Sequence, residues 1–377
     1  MEHWNPTHYL KEGRDKGYNE QYLDRLMTVG RAIRSNNLPV IFSLSHLANL
    51  SRTRYSDLHS YVSRGQTRAG HYKNFTISKR SGGKRWISIP VPPLMAVQRW
   101  ISQNILNSVT PHKAAYAYVL NRRTRDHAEK HCAAEWILKV DIKDFFSNIS
   151  ERQVFRVFES LGYPKLLSFE MARLCTRETP RRKGTRWANQ VQYDTTTTPY
   201  PSRTVGSLPQ GAPTSPALSN LVCVAMDIQL EALAQKSNAT YSRYADDLCF
   251  SFADSSRAAI LEIKRGISKV LWNNGFRENP KKTRIIPPGA RKVITGLLVN
   301  ENTPLVPREI RDRIKMHLYY CKKFNIPDHC RTRGFRSVVG FRNHLQGLIQ
   351  YVSSINPPQA QKFLLQFAEL PWIEFDI

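Results

Sequence analysis

Three aspartates carry the strongest chemical signal in this chain of 377 residues. Asp141 ends the apolar run Trp136–Asp141, while Asp246 and Asp247 lie about 100 residues later, between two further apolar runs. If these runs are a strand and a hairpin of one sheet, the three acids meet at one end of it. Ionised carboxylates that close repel one another and need cations between them. Hard oxygen ligands select Mg²⁺, and two such ions support phosphoryl transfer.

The alternative for Tyr244-Ala245-Asp246-Asp247 is an ordinary solvated turn. The motif alone is suggestive rather than decisive. Its position between two apolar strands, downstream of a strand that ends in an acid, favours the catalytic interpretation. We therefore predict a site for two Mg²⁺ ions, with Mn²⁺ as a possible substitute.

Two glycine-containing segments are suited to approach a triphosphate. Residues 208–216 combine a backbone that permits close approach with the amide of Gln210, just before a predicted helix. The β-like runs 75–80 and 84–89 flank Ser81-Gly82-Gly83, which is a hairpin signal. The hairpin carries four cations: Lys79, Arg80, Lys84 and Arg85. For any single one of them, a solvated basic turn is the simpler interpretation.

Phe146 and Lys282 have two interpretations each. Phe146 lies shortly after Asp141 and belongs either to the core or to one wall of a sugar pocket. Lys281 and Lys282 follow Asn279-Pro280 and either offer an ammonium to departing pyrophosphate or form a surface pair.

The acids need a framework, and the hydropathy pattern around them predicts one. Its order is strand, helix, helix, hairpin, helix, strand, which is typical of an α+β fold with an antiparallel sheet backed by helices. The segments are a strand at 136–142, helices at 151–176 and 215–236, a hairpin at 241–252, a helix at 258–272 and short strands at 283–286 and 293–299.

Composition narrows the class of partner. The net charge is +26, yet 41% of residues are apolar and 10% aromatic, which excludes a disordered polycation and favours a globular protein with a polyanionic partner. No apolar run of 18 residues exists and the first residues lack the pattern of a signal peptide, so we expect a soluble cytoplasmic protein with no membrane partner. The six cysteines contain no Cys-x-x-Cys pair, which favours reduced thiols.

Taken in order, these motifs resemble those of a reverse transcriptase. The matching segments lie within roughly residues 75–300: 79–90 with Gln98, 140–146, 207–216, 244–247, 275–283 and 292–298. The resemblance implies a right-hand polymerase fold of α+β class, with fingers, a ferredoxin-like antiparallel palm and a helical thumb. It implies N-terminal helices and fingers in 1–137, a palm in 138–298 with a fingers insertion near 166–206, and an RNA-binding thumb in 299–377.

The resemblance also assigns roles to matching positions. The catalytic acids would be Asp141, Asp246 and Asp247, and the metal site would consist of Asp141, Ile142, Asp246 and Asp247. The residues that would contact the incoming dNTP are Lys79 and Arg85 at the triphosphate, Phe146 as the gate against a ribose 2′-OH, Gln210 and Gly211 as positioning residues, and Lys282 as the acid assisting pyrophosphate departure.

Within this family the chain is most similar to retron reverse transcriptases, given its size, its Tyr-Ala-Asp-Asp form and the absence of appended maturase or endonuclease regions. Two retron-associated elements are altered. Asn-Ala-x-x-His is replaced by a sequence that begins with His127 and ends with His131, and Val-Thr-Gly by Ile294-Thr295-Gly296. Histidine in place of asparagine changes the hydrogen-bonding inventory at position 127.

The retron resemblance implies several partners: a cognate structured noncoding RNA, its RNA–DNA product, dNTPs and a separately encoded effector in antiphage defence. It implies that the first primer is a 2′-OH of an internal guanosine. Residues 308–342 hold ten Lys and Arg against three acids, which suits either cognate RNA or the backbone of any duplex. The predicted RNA-binding residues are His127, His131, Arg308, Arg311, Arg313, Lys315, Arg331, Arg333 and Arg336.

Two rival functions remain open. One is a group II intron-like or other bacterial reverse transcriptase that primes on a 3′-OH. The other is a catalytically silent polymerase-fold scaffold that only binds RNA. The presence of all three acids and of the basic hairpin weighs against the silent scaffold.

Overall fold

The computed structural model describes residues 4–64, 71–78, 82–178 and 205–372. Its N-terminal part is helical, and asparagine side chains cap its first two helices by accepting backbone N–H groups, Asn5 for α1 and Asn19 for α2. The four helices are α1 (Pro6–Asp15), α2 (Glu20–Ser35), α3 (Leu44–Leu50) and α4 (Tyr55–Ser63).

The predicted glycine-rich hairpin is confirmed by strands β1 (Tyr72–Ser78) and β2 (Lys84–Pro90), which pair antiparallel. Helix α5 (Pro92–Asn104) follows at once, with prolines in its first turn, where no backbone N–H is needed. A 3₁₀ turn (Leu106–Ser108) and α6 (Thr124–Glu129) complete the approach to the central sheet.

The central sheet is antiparallel, as the pattern of runs predicted. It has the order β4-β5-β3-β6, with the strands β3 (Trp136–Asp141), β4 (Ala239–Tyr244), β5 (Asp247–Phe252) and β6 (Arg284–Ile286). The helices that accompany it are α7 (Phe145–Asn148), α8 (Glu151–Ser160), α9 (Lys165–Cys175), α10 (Ser215–Val222), α11 (Val224–Lys236) and α12 (Arg257–Asn273).

The prediction of one continuous helix over 215–236 is wrong, because the chain bends by 51° at Cys223 between α10 and α11. The bend has a structural consequence. Asn220 before it and Asp227 after it both contact the same buried guanidinium, that of Arg243.

The C-terminal part packs around a hydrophobic cluster of its own. It begins with the small hairpin β7 (Val293–Ile294) and β8 (Leu297–Leu298) and continues through α13 (Arg308–Lys323), α14 (Ile326–Thr332), α15 (Val338–Ser353) and α16 (Pro357–Ala368). A separate and larger cluster joins the N-terminal helices to the sheet. The exact domain limits stay a prediction, and most of the predicted insertion near 166–206 lies outside the described residues.

Across the described ranges, no single helix has both the length and the apolar composition needed to span a membrane. Only the bent pair α10–α11, taken as one unit, meets both criteria.

Candidate active site

Strand register brings the three predicted acids to one end of the central sheet. Asp141, the last residue of β3, lies directly opposite Asp247, the first residue of β5. Tyr244 pairs with the same Asp247, so Ala245 and Asp246 form the tip of a tight hairpin. The backbone N–H of Ile142 donates to the carbonyl of Asp246 over 2.8 Å and ties the strand end to that tip.

The electrostatics of this corner are those of crowded carboxylates. Burial raises the pKa of Asp246 first, and the neighbouring charges of Asp247 and Asp141 raise it further. Burial also raises the pKa of Asp247, whereas the ammonium of Lys139 lowers it. A divalent cation relieves this repulsion, so the charge and the oxygen chemistry of the donor set fit a metal site.

The acids alone are not a closed coordination shell. Among the described residues, no group of three or more His, Cys, Asp or Glu side chains is arranged to hold a metal ion by itself. Mg²⁺ is usually held by one or two carboxylates together with substrate phosphates, so the corner fits an ion that arrives with its nucleotide.

Lys282 and Asn279 complete the surroundings of Asp141. The Nζ of Lys282 donates to Oδ1 of Asp141 over 2.6 Å, and the Nδ2 of Asn279 donates to Oδ2 over 3.0 Å. The hydrogen bond to Asp141 is the main cause that raises the pKa of Lys282. Sequence reasoning singled out Lys282 but named Asn279 only as the residue before Pro280, without giving its side chain a role.

A cavity of about 380 Å³ brings together three of the other predicted nucleotide contacts, Phe146, Gln210 and Gly211. Its lining is formed by Ile89, Met95, Arg99, Tyr118, Phe146, Gln210, Gly211, Ala212, Pro213, Ser215 and Pro216. Phe146 fits both of its interpretations, because it packs on the core through Phe145 and also faces the cavity.

Gly211 is required by its surroundings. Its φ of +118° lies in the region that favours glycine, and a Cβ there would meet Cγ2 of Ile87 at 2.9 Å and the carbonyl of Ser88 at 3.1 Å. Gln210 accepts the N–H of Ser88 over 2.8 Å through its own carbonyl. The loop is thereby fastened to β2, and the amide side chain of Gln210 borders the cavity.

The cations of the fingers hairpin are only partly described. Lys79 and Arg80 lie outside the described residues. Arg85 is exposed on β2 and lies on the same face of the strand as Ile87 and Ile89. Ile89 lines the cavity. Arg85 is therefore on the cavity side, where the prediction of a triphosphate contact needs it.

Two of the predicted RNA-binding residues are placed where RNA cannot reach them. His127 and His131 are 1% and 0% exposed, and burial lowers their pKa values to about 4 and about 3. The ring nitrogens of His131 contact the hydroxyls of Ser251 and Ser242, and His127 packs against Tyr244. This corrects the prediction for both residues, because neutral rings buried in the core beneath the β4–β5 hairpin have no face free for RNA.

The remaining predicted RNA-binding residues lie on or next to the thumb helices α13 and α14. Six are exposed, namely Arg308, Arg313, Lys315, Arg331, Arg333 and Arg336, and Arg311 is half-buried. Two of them form local ion pairs, Arg308 with Asp312 and Arg331 with Asp328. Their exposure leaves them accessible to a polyanion, and an RNA-binding role for them stays a prediction.

A buried ion pair beneath the β4–β5 hairpin was missed by sequence reasoning. Arg243 and Asp227 are both fully buried and form a two-pronged pair, with N–O distances of 2.9 and 2.7 Å. Arg243 also donates to Oδ1 of Asn220 and, over 3.3 Å, to the carbonyl of Ala245 in the hairpin tip. The available signal was Arg243 itself, a charged residue inside a predicted strand. Such a residue is buried only when it is paired, so its presence indicates a partner.

Comparison with known proteins identifies the family. The family described as reverse transcriptase (RNA-dependent DNA polymerase) matches residues 77–299, which is more than half of the chain. The retron Mx162 reverse transcriptase of Myxococcus xanthus is 32% identical over 356 residues, covering 89% of this chain and 69% of the relative. The retron Ec86 reverse transcriptase of Escherichia coli is 28% identical, covering 86% of this chain and 92% of the relative.

The chain thus belongs to the reverse transcriptase family, and within it to the retron reverse transcriptases. It is an RNA-directed DNA polymerase with the right-hand polymerase fold, as predicted. Polymerases of this family use divalent metal ions. Among solved structures, Candida albicans telomerase in complex with a fragment of telomeric RNA has a TM-score of 0.40 at 15% identity, covering 79% of this chain and 56% of that chain. That likeness is too weak to add to the assignment.

Proposed function

We propose that this polymerase copies part of a cognate structured noncoding RNA into DNA that stays joined to the RNA, and that Asp141, Asp246 and Asp247 are its catalytic acids. The observation that carries the proposal is the strand register, which sets Asp141 opposite Asp247. The cavity that contains Phe146 and Gln210 adds a space for the nucleotide. Mg²⁺ is the proposed metal, with Mn²⁺ as a substitute, because the site offers only oxygen donors.

The residues around the acids suit the separate needs of nucleotidyl transfer. A pair of divalent ions, when bound, lowers the pKa of the primer hydroxyl and stabilises the leaving pyrophosphate. Asp141, Asp246 and Asp247 supply the carboxylates, with the backbone of Ile142 alongside. Lys282 supplies an ammonium that offsets the charge of the departing pyrophosphate.

The cavity residues select and orient the nucleotide. Arg85, and Lys79 by its place in the motif, hold the triphosphate. Gln210 and Gly211 position the nucleotide and template. Phe146 faces the position of the sugar and excludes a 2′-OH, because its ring is held from behind by Phe145.

Retron membership supports the finer part of the proposal. The relatives are named as retron reverse transcriptases, and the matched region covers most of this chain. We infer that the first primer is a 2′-OH within the noncoding RNA, that the product is a branched or linked RNA–DNA, and that the complex works in the cytoplasm with a separately encoded effector in antiphage defence. The exposed cations Arg308, Arg313 and Lys315 contribute to RNA binding.

The test is to purify the full chain and to map its co-purifying nucleic acid by sequencing and nuclease digestion. We expect one discrete RNA–DNA species whose DNA is complementary to part of the RNA and joined to it at a single nucleotide. Asp246→Asn with Asp247→Asn is the matched control, and it should retain the RNA but lack the DNA.

Each contrary outcome removes a defined part of the proposal. DNA that begins on a free 3′-OH, together with equal extension of any primed template, would overturn the retron mode of priming and favour the group II-like alternative. A wild-type protein that carries RNA but incorporates no dNTP on it would favour the silent scaffold.

A further inference from the structure

Tyr118 has an unusual backbone conformation and an exposed side chain at the edge of the active site. Its φ is +60°, a left-handed value that is costly for a bulky residue. Tyr118 is nevertheless 51% exposed, so its ring is only partly buried. Within the part of the chain that the structure describes, no hydrogen bond to its hydroxyl is found. Such strain persists only where the surroundings enforce it, and it concentrates at functional sites.

The surroundings that enforce it are visible. The N–H of Arg243 donates to the carbonyl of Ala114 over 2.7 Å, and the N–H of Tyr116 donates to the carbonyl of Arg243 over 2.8 Å. The Nδ2 of Asn220 donates to the carbonyl of Ala117 over 2.8 Å. The segment that carries Tyr118 is thus fastened to β4, the strand that leads into the catalytic hairpin, and to α10.

The side chain that this segment presents faces the proposed nucleotide site. The rings of Tyr118 and Phe146 have centroids 6.4 Å apart and line the same cavity. The pKa of Tyr118 is raised mainly by burial and then by the charge of Asp246, and it is lowered by Arg85. The charges of Asp246 and Arg85 therefore both act on this hydroxyl.

We propose that Tyr118 is a nucleotide-binding residue, whose ring extends the cavity wall beside Phe146 and whose hydroxyl donates to a phosphate oxygen of the incoming nucleoside triphosphate. This rests on the proposed function of the cavity. A phosphate is the fitting acceptor, because Tyr118 shares its cavity with Phe146 and Gln210, and its hydroxyl has no hydrogen-bond partner within the described residues. Phosphates are common to dNTPs and rNTPs, so this contact strengthens binding without selecting the sugar.

Two variants separate this role from a structural one. Tyr118→Phe removes only the hydroxyl, and it should raise the KM for dNTP by about tenfold, as expected for loss of a hydrogen bond to a charged group, with kcat nearly unchanged. The KM for rNTP should rise by the same factor. Tyr118→Gly removes the wall as well and should lower kcat/KM by roughly 100-fold. Its Tm should equal or exceed that of the wild type, because glycine adopts the positive φ without strain.

Steady-state incorporation on a primed RNA template measures kcat and KM, and thermal unfolding measures the Tm. Tyr116→Phe is the matched control, since it removes a hydroxyl from the same segment on a side chain that packs against His127, and it should keep wild-type constants. The proposal is overturned if Tyr118→Phe keeps the wild-type KM, or if Tyr118→Gly loses activity and Tm together. These outcomes leave the proposed function intact, because the wild type and the Tyr116→Phe variant would still synthesise DNA with the acids in their assigned roles.

Discussion

The palm and the thumb of this protein use charge in opposite ways. Beneath the β4–β5 hairpin, the side chains of Arg243 and Asp227 are 0% exposed, and each hydrogen-bonding group of the pair has a fixed partner. On the thumb, the side chains of Arg308 and Arg331 are 84% and 78% exposed, and each pairs with an acid one helical turn away.

The difference indicates two kinds of function. A buried and fully bonded charge orients its neighbours and costs much free energy if one partner is lost. Exposed pairs contribute little to stability and are screened by salt, yet such cations attract a polyanion through the release of its counterions. We therefore expect large, position-specific effects of substitution in the palm and small, salt-dependent effects in the thumb.

The charges that the proposed function requires of Asp246 and Asp247 destabilise the folded protein. The pKa values of Asp246 and Asp247 are raised, chiefly by burial, which means that ionising them in the folded state is unfavourable. Stability from this source is present at low pH and is lost as pH rises through the raised pKa values. At neutral pH the metal-free site is therefore strained by its own charges.

The largest expected effect follows from removing those charges. Asp246→Asn with Asp247→Asn should reduce RNA-templated dNTP incorporation by about 10³-fold or more, because the carboxylates that hold the cations are gone. In EDTA at neutral pH the Tm of the same variant should rise, by roughly 1–2 °C for each kcal/mol of repulsion relieved in a chain of this length. The Tm difference should shrink as pH falls through the raised pKa values. Residual activity within tenfold of wild type would remove both acids from the mechanism.

The next effect concerns the buried pair. Arg243→Met leaves the carboxylate of Asp227 buried and unpaired, and should cost about 3–5 kcal/mol in the free energy of unfolding, measured with denaturant. Arg243→Met with Asp227→Leu removes both charges and should recover most of that stability. We expect the double variant to stay slow in dNTP incorporation, since its hairpin lacks the hydrogen bond to the carbonyl of Ala245. Full activity in the double variant would show that the pair serves stability alone.

The acids could be found from sequence because their placement depends on local patterns. Asp141 ends a run of apolar residues, and Asp246 and Asp247 divide two such runs, so the alternation of strands alone predicts where they meet. Gly211 could be found for a similar reason, since a glycine before a helix marks a close approach of backbone.

Features that depend on tertiary contacts could not be predicted. The pairing of Asp227 with Arg243 needs the bend at Cys223, which a helical periodicity does not reveal. Tyr118 lies in an irregular segment whose positive φ is enforced by hydrogen bonds from distant parts of the chain. His127 and His131 were misjudged because matching a motif says nothing about burial, and both rings lie in the core.

Lys282 is intermediate between the buried pair of the palm and the exposed pairs of the thumb. Its side chain is 59% exposed, yet it is bonded to the buried Asp141. Lys282→Gln should lower kcat about tenfold with little change in the KM for dNTP, because an ammonium that acts on the leaving group acts in the transition state. Lys281→Gln is the matched control, an exposed neighbour, and should leave kcat unchanged. Equal effects of the two substitutions would mean that Lys282 contributes only general charge.

The smallest effects are expected on the thumb, and they test whether its charges act together rather than singly. Lys315→Gln or Arg313→Gln should weaken binding of the cognate RNA only a few-fold, and each should reduce the slope of log K against log salt by about one. Lys362→Gln, an exposed cation on α16 outside the 308–342 cluster, serves as the control and should leave the slope unchanged. A substitution in the cluster that abolishes RNA binding without altering the slope would contradict the comparison, because the thumb would then recognise RNA through a specific, palm-like contact.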